Sequence, residues 1–87
     1  MIFVTGIHGN EQVPVFCLLK KNVPQIIGNI KALTKGLRYI DKDLNASFGL
    51  TGKSYEIIRA SEILRKIPKD EIVVDFHTYL QNPNLSL

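Results

Sequence analysis

Two short apolar runs, each followed by a histidine, constrain the fold of this chain more than any other feature. The first is "IFVT" at residues 2–5, with His8 three positions later; the second is "EIVVDF" at 71–76, with His77 directly after it. Runs like these are typical of β-strands, and the first is too apolar to lie flat on a solvent-exposed face. They therefore predict two such strands, whose ends carry the two histidines of the chain.

Helical segments alternate with these strands. A helix is predicted from about Glu11 to Lys21, with Asn10 as its N-cap and Pro14 in its first turn, where a proline loses little hydrogen bonding. A second helix is predicted from Ser54, an acceptable but imperfect N-cap, to Ile67, because its apolar residues recur at helical spacing. Those residues are Ile57, Ile58, Ala60, Ile63, Leu64 and Ile67.

The middle of the chain is less regular. The segment "PQIIGNI" (24–30) predicts a further strand, and residues 31–52 predict an ordered loop, since a long structureless segment in so small a domain usually serves binding. The tail 80–87 shows no periodic pattern. The resulting order, β-α-β-loop-α-β, predicts an α/β fold with a mainly parallel sheet in a single domain, residues 1–87.

Composition excludes several functional classes. The net charge is +3, and the basic residues are scattered instead of forming a stripe with aromatic residues, so no nucleic-acid surface is expected. No apolar run approaches the roughly 18–20 residues of a membrane span, and the N-terminus lacks the features of a signal peptide. The single cysteine, Cys17, cannot form an internal disulfide and is expected to be a small buried residue, not a reactive thiol or metal ligand. These observations favour a cytoplasmic protein.

The histidines suggest a metal site at the sheet edge. In open α/β sheets, ligands bind beyond the carboxyl ends of the strands, where His8 and His77 are predicted to lie. With Glu11 they would supply two imidazoles and a carboxylate, a donor set that suits catalytic zinc. Asp75 points to the same side of its strand as His77 and could orient that ring. The alternative is an exposed polar loop at His8 and a structural histidine at the strand end; the spacing leaves both open.

The stretch "SFGLTGKS" (47–54) has the Gly-Lys-Ser ending of a phosphate-binding P-loop. Ser47 occupies the position of the first glycine, however, and no apolar strand precedes the stretch. Without that glycine, the backbone amides are not expected to form an anion-binding nest. Nucleotide binding through Gly52, Lys53 and Ser54 is therefore only a minor hypothesis.

The stretch "RYIDKDLN" (38–45) contains Arg38 and Asn45, side chains that suit a bound carboxylate or a developing oxyanion. Its acidic residues, Asp41 and Asp43, could equally form turns or pair with nearby lysines. Taken alone, this stretch is more typical of structure than of a site.

In combination, these elements resemble the succinylglutamate desuccinylase/aspartoacylase family, a branch of the zinc carboxypeptidases that deacylates N-acyl amino acids. "GIHGNE" is similar to the family's G-x-H-G-N-E element, "RYIDKDLN" to its R-Y-x-D-x-D-L-N-R stretch, and "VVDFHT" to its D-L-H element. "GNIKAL" occupies the place of an N-P-x-A segment, with Ile30 where the family has proline. The resemblance implies a partial zinc-carboxypeptidase-like three-layer fold, corresponding to the N-terminal part of the catalytic domain.

The resemblance also implies roles for single residues. His8, Glu11 and His77 would bind zinc, and Asp75 would support His77. Arg38 would polarise the scissile carbonyl of the substrate, and Asn45 would help to hold the substrate's carboxylate. The substrate would be an N-acyl amino acid or a related small carboxylate.

Two departures from the family pattern qualify this expectation. Ala46 stands where the family has an arginine that grips the substrate carboxylate, and the family's proton-shuttling glutamate belongs to a later part of the domain than this sequence covers. The sequence thus predicts either a zinc-dependent amidohydrolase that is incomplete as this chain, or a non-catalytic metal-binding or assembly module derived from one. Association with a second copy, or with a separately encoded second half, is expected in either case.

Overall fold

A computed structural model describes residues 1–77 of the chain, so the tail 80–87 lies outside the described residues. The described part is an α/β structure with three strands and three α-helices. In chain order these are β1 (Ile2–Thr5), α1 (Gln12–Lys20), β2 (Ile26–Ile27), α2 (Ile30–Lys35), a 3₁₀ turn (Leu44–Ala46), α3 (Tyr55–Lys66) and β3 (Val73–Asp75).

The three strands form one parallel sheet in the order β2-β1-β3. Val4 of β1 pairs with Ile26 of β2 on one side and with Asp75 of β3 on the other. The carboxyl ends of β1 and β3 therefore lie side by side at one edge of the sheet. This arrangement confirms the predicted α/β class and the parallel sheet.

The core lies between α3 and one face of the sheet. Its buried residues come from four separate segments of the chain and are Val4, Ile7, Leu44, Ala60 and Ile63. Full burial of an aliphatic side chain of this size stabilises the fold by about 1.5–3 kcal/mol. The apolar spacing in α3 located the helix but overstated its buried face, because Ile58 and Leu64 are exposed.

The two predicted helix starts have different outcomes. Ser54 is the N-cap of α3, and its hydroxyl accepts a hydrogen bond from the Ile57 amide at 3.3 Å, as predicted. The prediction of Asn10 as the cap of α1 is wrong, because Glu11 occupies that position and its side chain makes no capping bond. The Glu11 amide instead donates to the His8 carbonyl at 3.0 Å, which closes a turn and delays the helix.

The middle segment is more helical than its sequence suggested. The predicted strand 24–30 shrinks to Ile26–Ile27, and the predicted loop 31–52 contains most of α2 and the 3₁₀ turn. The physical reason is Asn29, whose side chain accepts a hydrogen bond from the Ala32 amide at 3.1 Å and so starts α2 early. Gly36, with a φ of 67°, ends α2 in the left-handed conformation that glycine adopts readily.

Cys17 is exposed, so its predicted burial is wrong. Helix α1 is apolar on most of its circumference, and its sequence therefore does not indicate which face is buried. The structure buries Val15 and leaves Phe16 and Cys17 in solvent. Within residues 1–77, no helix combines the length and apolar character that a membrane span requires.

Candidate metal centre

His8, Glu11 and His77 converge at the carboxyl edge of the sheet. Each residue offers one ligand atom, and these three atoms all lie within 4.8 Å of one another. The two imidazole ring centres are 6.0 Å apart, and Glu11 is 5% exposed. Residues separated by up to 69 positions in the chain, from His8 to His77, therefore form one cluster.

Backbone hydrogen bonds place each member of this cluster. The Phe76 amide donates to the Val4 carbonyl at 2.9 Å, which extends the β1–β3 pairing to the residue before His77. The turn from His8 to Glu11 brings the carboxylate back to Nδ1 of the His8 ring, and the two side chains are in direct contact. The cluster thus depends on strand pairing at one end and on a tight turn at the other.

Both imidazoles have the same orientation relative to Glu11. Nδ1 of His8 contacts Oε1 of Glu11, and Nδ1 of His77 lies 3.5 Å from the same oxygen. The opposite nitrogen, Nε2, lies 2.9 Å from Asp43 Oδ1 in His8 and 2.9 Å from Asp75 Oδ2 in His77. Each ring therefore lies between Glu11 and an outer carboxylate, with Nδ1 directed inward.

The residues present fit zinc. Zinc sites use imidazole nitrogens and carboxylate oxygens at about 2.0–2.2 Å, and histidine ligands commonly donate their other N–H to a carboxylate. Asp43 and Asp75 are such carboxylates, one for each histidine. Separations of up to 4.8 Å between the ligand atoms are close enough for modest side-chain rotations to bring them onto one ion.

The electrostatics of the outer carboxylates agree with this arrangement. Burial lowers the pKa of His77, but hydrogen bonding and charge from Asp75 and Glu11 outweigh it, so the pKa lies above its usual value. Burial raises the pKa of Asp43, but the hydrogen bonds from His8 and the Asn45 amide and the charges of His8 and Arg38 bring it below its usual value. A divalent cation would compete with protons for such a cluster, so metal affinity is expected to depend on pH.

Gly9 holds the His8 loop against the rest of the structure. Its amide donates to the Arg38 carbonyl at 2.9 Å. A Cβ atom at this position would lie 2.2 Å from the Leu37 carbonyl oxygen and 2.4 Å from the Ala32 carbonyl carbon. Both contacts are with backbone, so neither neighbour can rotate away, and any larger residue would displace the loop that carries His8.

Arg38 and Asn45 lie beside the outer carboxylate Asp43 and not against the three central residues. The Arg38 side chain is 58% exposed, and its guanidinium is 3.7 Å from Asp43 Oδ2. Asn45 is exposed, and its backbone amide donates to Asp43 Oδ1 at 2.9 Å. Their predicted roles toward substrate stay predictions. Ala46, at the end of the same 3₁₀ turn, is exposed as well.

The sequence predictions missed the two carboxylates that organise this region. Asp43 was interpreted as a turn-former or lysine partner, yet it contacts His8; it also caps the 3₁₀ turn, so the turn-forming interpretation is partly confirmed. Glu56, to which no role was assigned, is fully buried against backbone amides of residues 40–42. The sequence could have indicated Asp43. Asp75 is predicted to orient His77, and by the same reasoning His8 needs a carboxylate partner of its own. No sequence signal distinguished Glu56.

Two backbone amides at the start of α3, directly after the P-loop-like stretch, already donate hydrogen bonds to side chains of this chain. The Tyr55 amide donates to Asp41 Oδ2 at 2.8 Å, and the Ile57 amide donates to Ser54. The stretch also follows a 3₁₀ turn, whereas a P-loop follows a strand. Since these amides already have acceptors within the chain, nucleotide binding through this stretch stays a minor hypothesis.

Comparison with known proteins is consistent with the geometry. Residues 18–86 match the model of the succinylglutamate desuccinylase/aspartoacylase catalytic domain. A probable aspartoacylase of Prochlorococcus marinus (strain MIT 9515) is 36% identical over 108 residues, covering 100% of this chain and 36% of the relative. A probable aspartoacylase of Nostoc sp. is 35% identical over 107 residues, covering 97% of this chain and 36% of the relative.

A third relative carries a different activity in its name. It is an N-acyl-aromatic-L-amino acid amidohydrolase (carboxylate-forming) of Xenopus tropicalis, 34% identical over 107 residues, which cover 94% of this chain and 34% of the relative. The chain spans about a third of the length of the curated relatives it matches. His8 and Glu11 precede the part matched by the family model, but the Prochlorococcus alignment covers them.

Proposed function

The chain belongs to the succinylglutamate desuccinylase/aspartoacylase family, and from that premise we propose that it carries the zinc site of an amidohydrolase acting on N-acyl amino acids. The observation that supports this proposal most strongly is the convergence of His8, Glu11 and His77, with a separate carboxylate behind each histidine. In this proposal the three residues are the metal ligands. Asp75 and Asp43 orient the two rings.

Each residue in or beside the cluster has its own role in this proposal. Zinc, when bound, supplies Lewis-acid activation of water and of a carbonyl oxygen. His8 and His77 would hold it through Nδ1, because their Nε2 atoms face Asp43 and Asp75. Arg38, which is exposed beside the cluster, polarises the amide carbonyl, and Asn45 binds the substrate's carboxylate. These two assignments follow from the family resemblance.

A second candidate function is a non-catalytic metal-binding or assembly module. Ala46 favours it, because a methyl group cannot bind a carboxylate as the family's arginine does. Glu56 does not act as the family's proton-shuttling glutamate, since it is fully buried and already accepts four hydrogen bonds. On this alternative the chain binds zinc and acts only with a second copy or a separate second half. A cytoplasmic location stays a prediction.

Zinc stoichiometry measured by elemental analysis separates these proposals from a zinc-free role. Wild type is compared with His8→Ala and His77→Ala, and Asn10→Ala serves as the matched control because Asn10 is exposed in the same loop. The proposal expects about one zinc per chain in wild type and the control, and none in either histidine variant. Wild type that stays free of zinc in excess metal would contradict it.

Hydrolysis assays then distinguish enzyme from module. Acetylated acidic and aromatic amino acids are the substrates to compare, because the relatives carry both kinds of name. Zinc-dependent hydrolysis that is lost in Arg38→Ala supports the amidohydrolase. Full zinc binding without turnover supports the module.

A further inference from the structure

Glu56 is a buried carboxylate that the proposed chemistry does not use. It is 0% exposed and lies in the first turn of α3. Oε1 accepts hydrogen bonds from the amides of Asp41 at 2.9 Å and Lys42 at 3.1 Å. Oε2 accepts one from the Ile40 amide at 2.8 Å and one from the Asn29 side chain at 2.7 Å. Three consecutive backbone amides thus converge on one side chain.

The segment held in this way leads directly to the candidate metal centre. Lys42 precedes Asp43, whose carboxylate lies 2.9 Å from Nε2 of His8. At the other end of the segment, the Arg38 carbonyl accepts a hydrogen bond from the Gly9 amide, next to His8. The conformation of residues 38–43 therefore determines where Asp43 meets the His8 ring.

A second route connects Glu56 to the other side of His8. Asn29 donates its side-chain N–H to Glu56, and its backbone amide donates to the Gly6 carbonyl at 2.8 Å. Gly6 begins the loop that carries His8 and has a φ of 63°. Glu56 is thus connected to the loop before His8 and to the carboxylate behind it.

We infer that Glu56 is a positioning residue for His8 of the proposed metal centre, acting through the backbone of residues 40–42. The expected effect on metal affinity rests on the proposed function. The expected effect on the position of the His8 ring does not. His77 is oriented by Asp75, two positions earlier at the end of β3, and the structure describes no hydrogen bond between His77 and residues 38–43. Loss of Glu56 is therefore expected to disturb one histidine and spare the other.

The test is imidazole ¹⁵N–¹H NMR on the metal-free protein, in which His8 and His77 are the only histidines. The variants are Glu56→Gln, which keeps the side-chain size but replaces one acceptor oxygen with an amide group, and Asp43→Asn, which alters the contact with His8 directly. Ile63→Ala is the matched control, because it weakens the core from the same helix through an aliphatic side chain that accepts no hydrogen bond from the amides of residues 40–42. His77→Ala assigns the resonances.

The inference expects Glu56→Gln to move the His8 resonances in the same direction as Asp43→Asn and to leave those of His77 in place. Zinc affinity, measured by competition with a chelating dye, should fall by about tenfold, the lower end of what supporting carboxylates contribute. Folded Glu56→Gln with unchanged His8 resonances would overturn the inference. Equal movement of both histidines, or the same movement in Ile63→Ala, would overturn it as well, because it would indicate general loosening.

Two further outcomes remain decisive. If Glu56→Gln does not fold, Glu56→Asp is the second variant. It keeps the charge, but its shorter side chain moves the carboxylate oxygens away from the amides of residues 40–42, and the same criteria apply to its His8 resonances. If wild type binds no zinc, the proposed function fails, but the NMR comparison still decides whether Glu56 positions His8.

Discussion

Glu56 and Glu11 are both buried glutamates close to the same loop, yet their surroundings differ in kind. Glu56 accepts hydrogen bonds from three backbone amides and the Asn29 side chain, none of which titrates. Glu11 lies against two imidazole nitrogens, both of which are atoms that can bind a metal ion. Fixed amide donors make the first carboxylate a structural element. Metal-binding neighbours make the second part of a place where a cation can bind.

The contrast shows that burial of a carboxylate does not by itself indicate a functional site. What distinguishes the two glutamates is the chemistry of their partners and the access of those partners to solvent. The His8 and His77 side chains are 13% and 23% exposed, so an ion can reach them. Changes at the two glutamates should therefore affect different properties of the protein.

The largest effect is expected from Glu56→Ala. Removal of the carboxylate leaves its four donors without their acceptor in a buried site, and the free energy of unfolding should fall by about 3–5 kcal/mol. Glu11→Ala should cost clearly less in metal-free protein, because the imidazoles are partly exposed and water can replace the lost contact. Urea denaturation of both variants measures the difference. Equal losses would mean that the two sites do not differ as described.

The same contrast should be visible in acid. Burial raises the pKa of Glu56, but the hydrogen bonds from Ile40, Asn29, Asp41 and Lys42 outweigh it, so the folded-state pKa lies below the usual 4.5. Its stabilising contribution is then complete above about pH 4.5 and is lost as the pH falls through the folded-state pKa. Glu56→Gln should flatten the decline of stability in this range, as followed by urea denaturation at a series of pH values. A decline as steep as that of wild type would contradict this assignment.

Zinc should stabilise the protein only while the Glu11 cluster is intact. At a free zinc concentration about 100 times Kd, binding adds about 2.7 kcal/mol to the free energy of unfolding. Glu11→Ala and His77→Ala should abolish this gain, whereas Asn10→Ala should retain it. Thermal unfolding with and without zinc provides the measurement. An undiminished gain in His77→Ala would show that the ion binds elsewhere.

Gly9→Ala should affect both properties, because Gly9 packs the His8 loop against backbone. The added methyl group would overlap the Leu37 and Ala32 backbone, and we expect a loss of about 1–3 kcal/mol together with weaker zinc binding. Gly36→Ala is the matched control: its φ is 67°, but among the non-neighbouring residues that the structure describes, only Gln12 lies within 4 Å of the new Cβ. It should cost about 1–2 kcal/mol through backbone strain and leave zinc affinity unchanged. Equal zinc affinity in both variants would rule out the steric explanation.

The smallest effect is expected at Cys17. Since this residue is exposed, Cys17→Ser should change stability by no more than about 0.5 kcal/mol and leave zinc binding intact. The thiol of native wild type should react with Ellman's reagent without denaturant. Slow reaction in the native state would indicate that another surface covers α1.

Local patterns in the sequence predicted the parts of the structure that depend on the spacing of apolar residues and on the topology of a parallel sheet. The apolar runs before His8 and His77 predicted two parallel strands, and parallel strands place their carboxyl ends at one edge, so the meeting of the two histidines followed. The contact between Asp75 and His77 followed from the two-residue period of a strand. The Ser54 cap of α3 is equally local.

The remaining features depend on contacts that local patterns do not encode. Asp43 meets His8 across 35 positions, and Glu56 meets residues 40–42 across 14 to 16. The early start of α2 depends on Asn29, whose side chain also bonds to Glu56. Cys17 lies on a helix whose apolar residues surround it, so only the tertiary structure decides which face is buried. The family resemblance supplied the ligand assignment but not this supporting network.

The most direct test of the central claim is zinc K-edge X-ray absorption spectroscopy on the zinc-loaded wild-type chain. The account predicts a first shell of two imidazole nitrogens and carboxylate oxygen at about 2.0–2.2 Å, with imidazole scattering reduced in both His8→Ala and His77→Ala. A first shell without imidazole, or a spectrum that neither substitution changes, would contradict it.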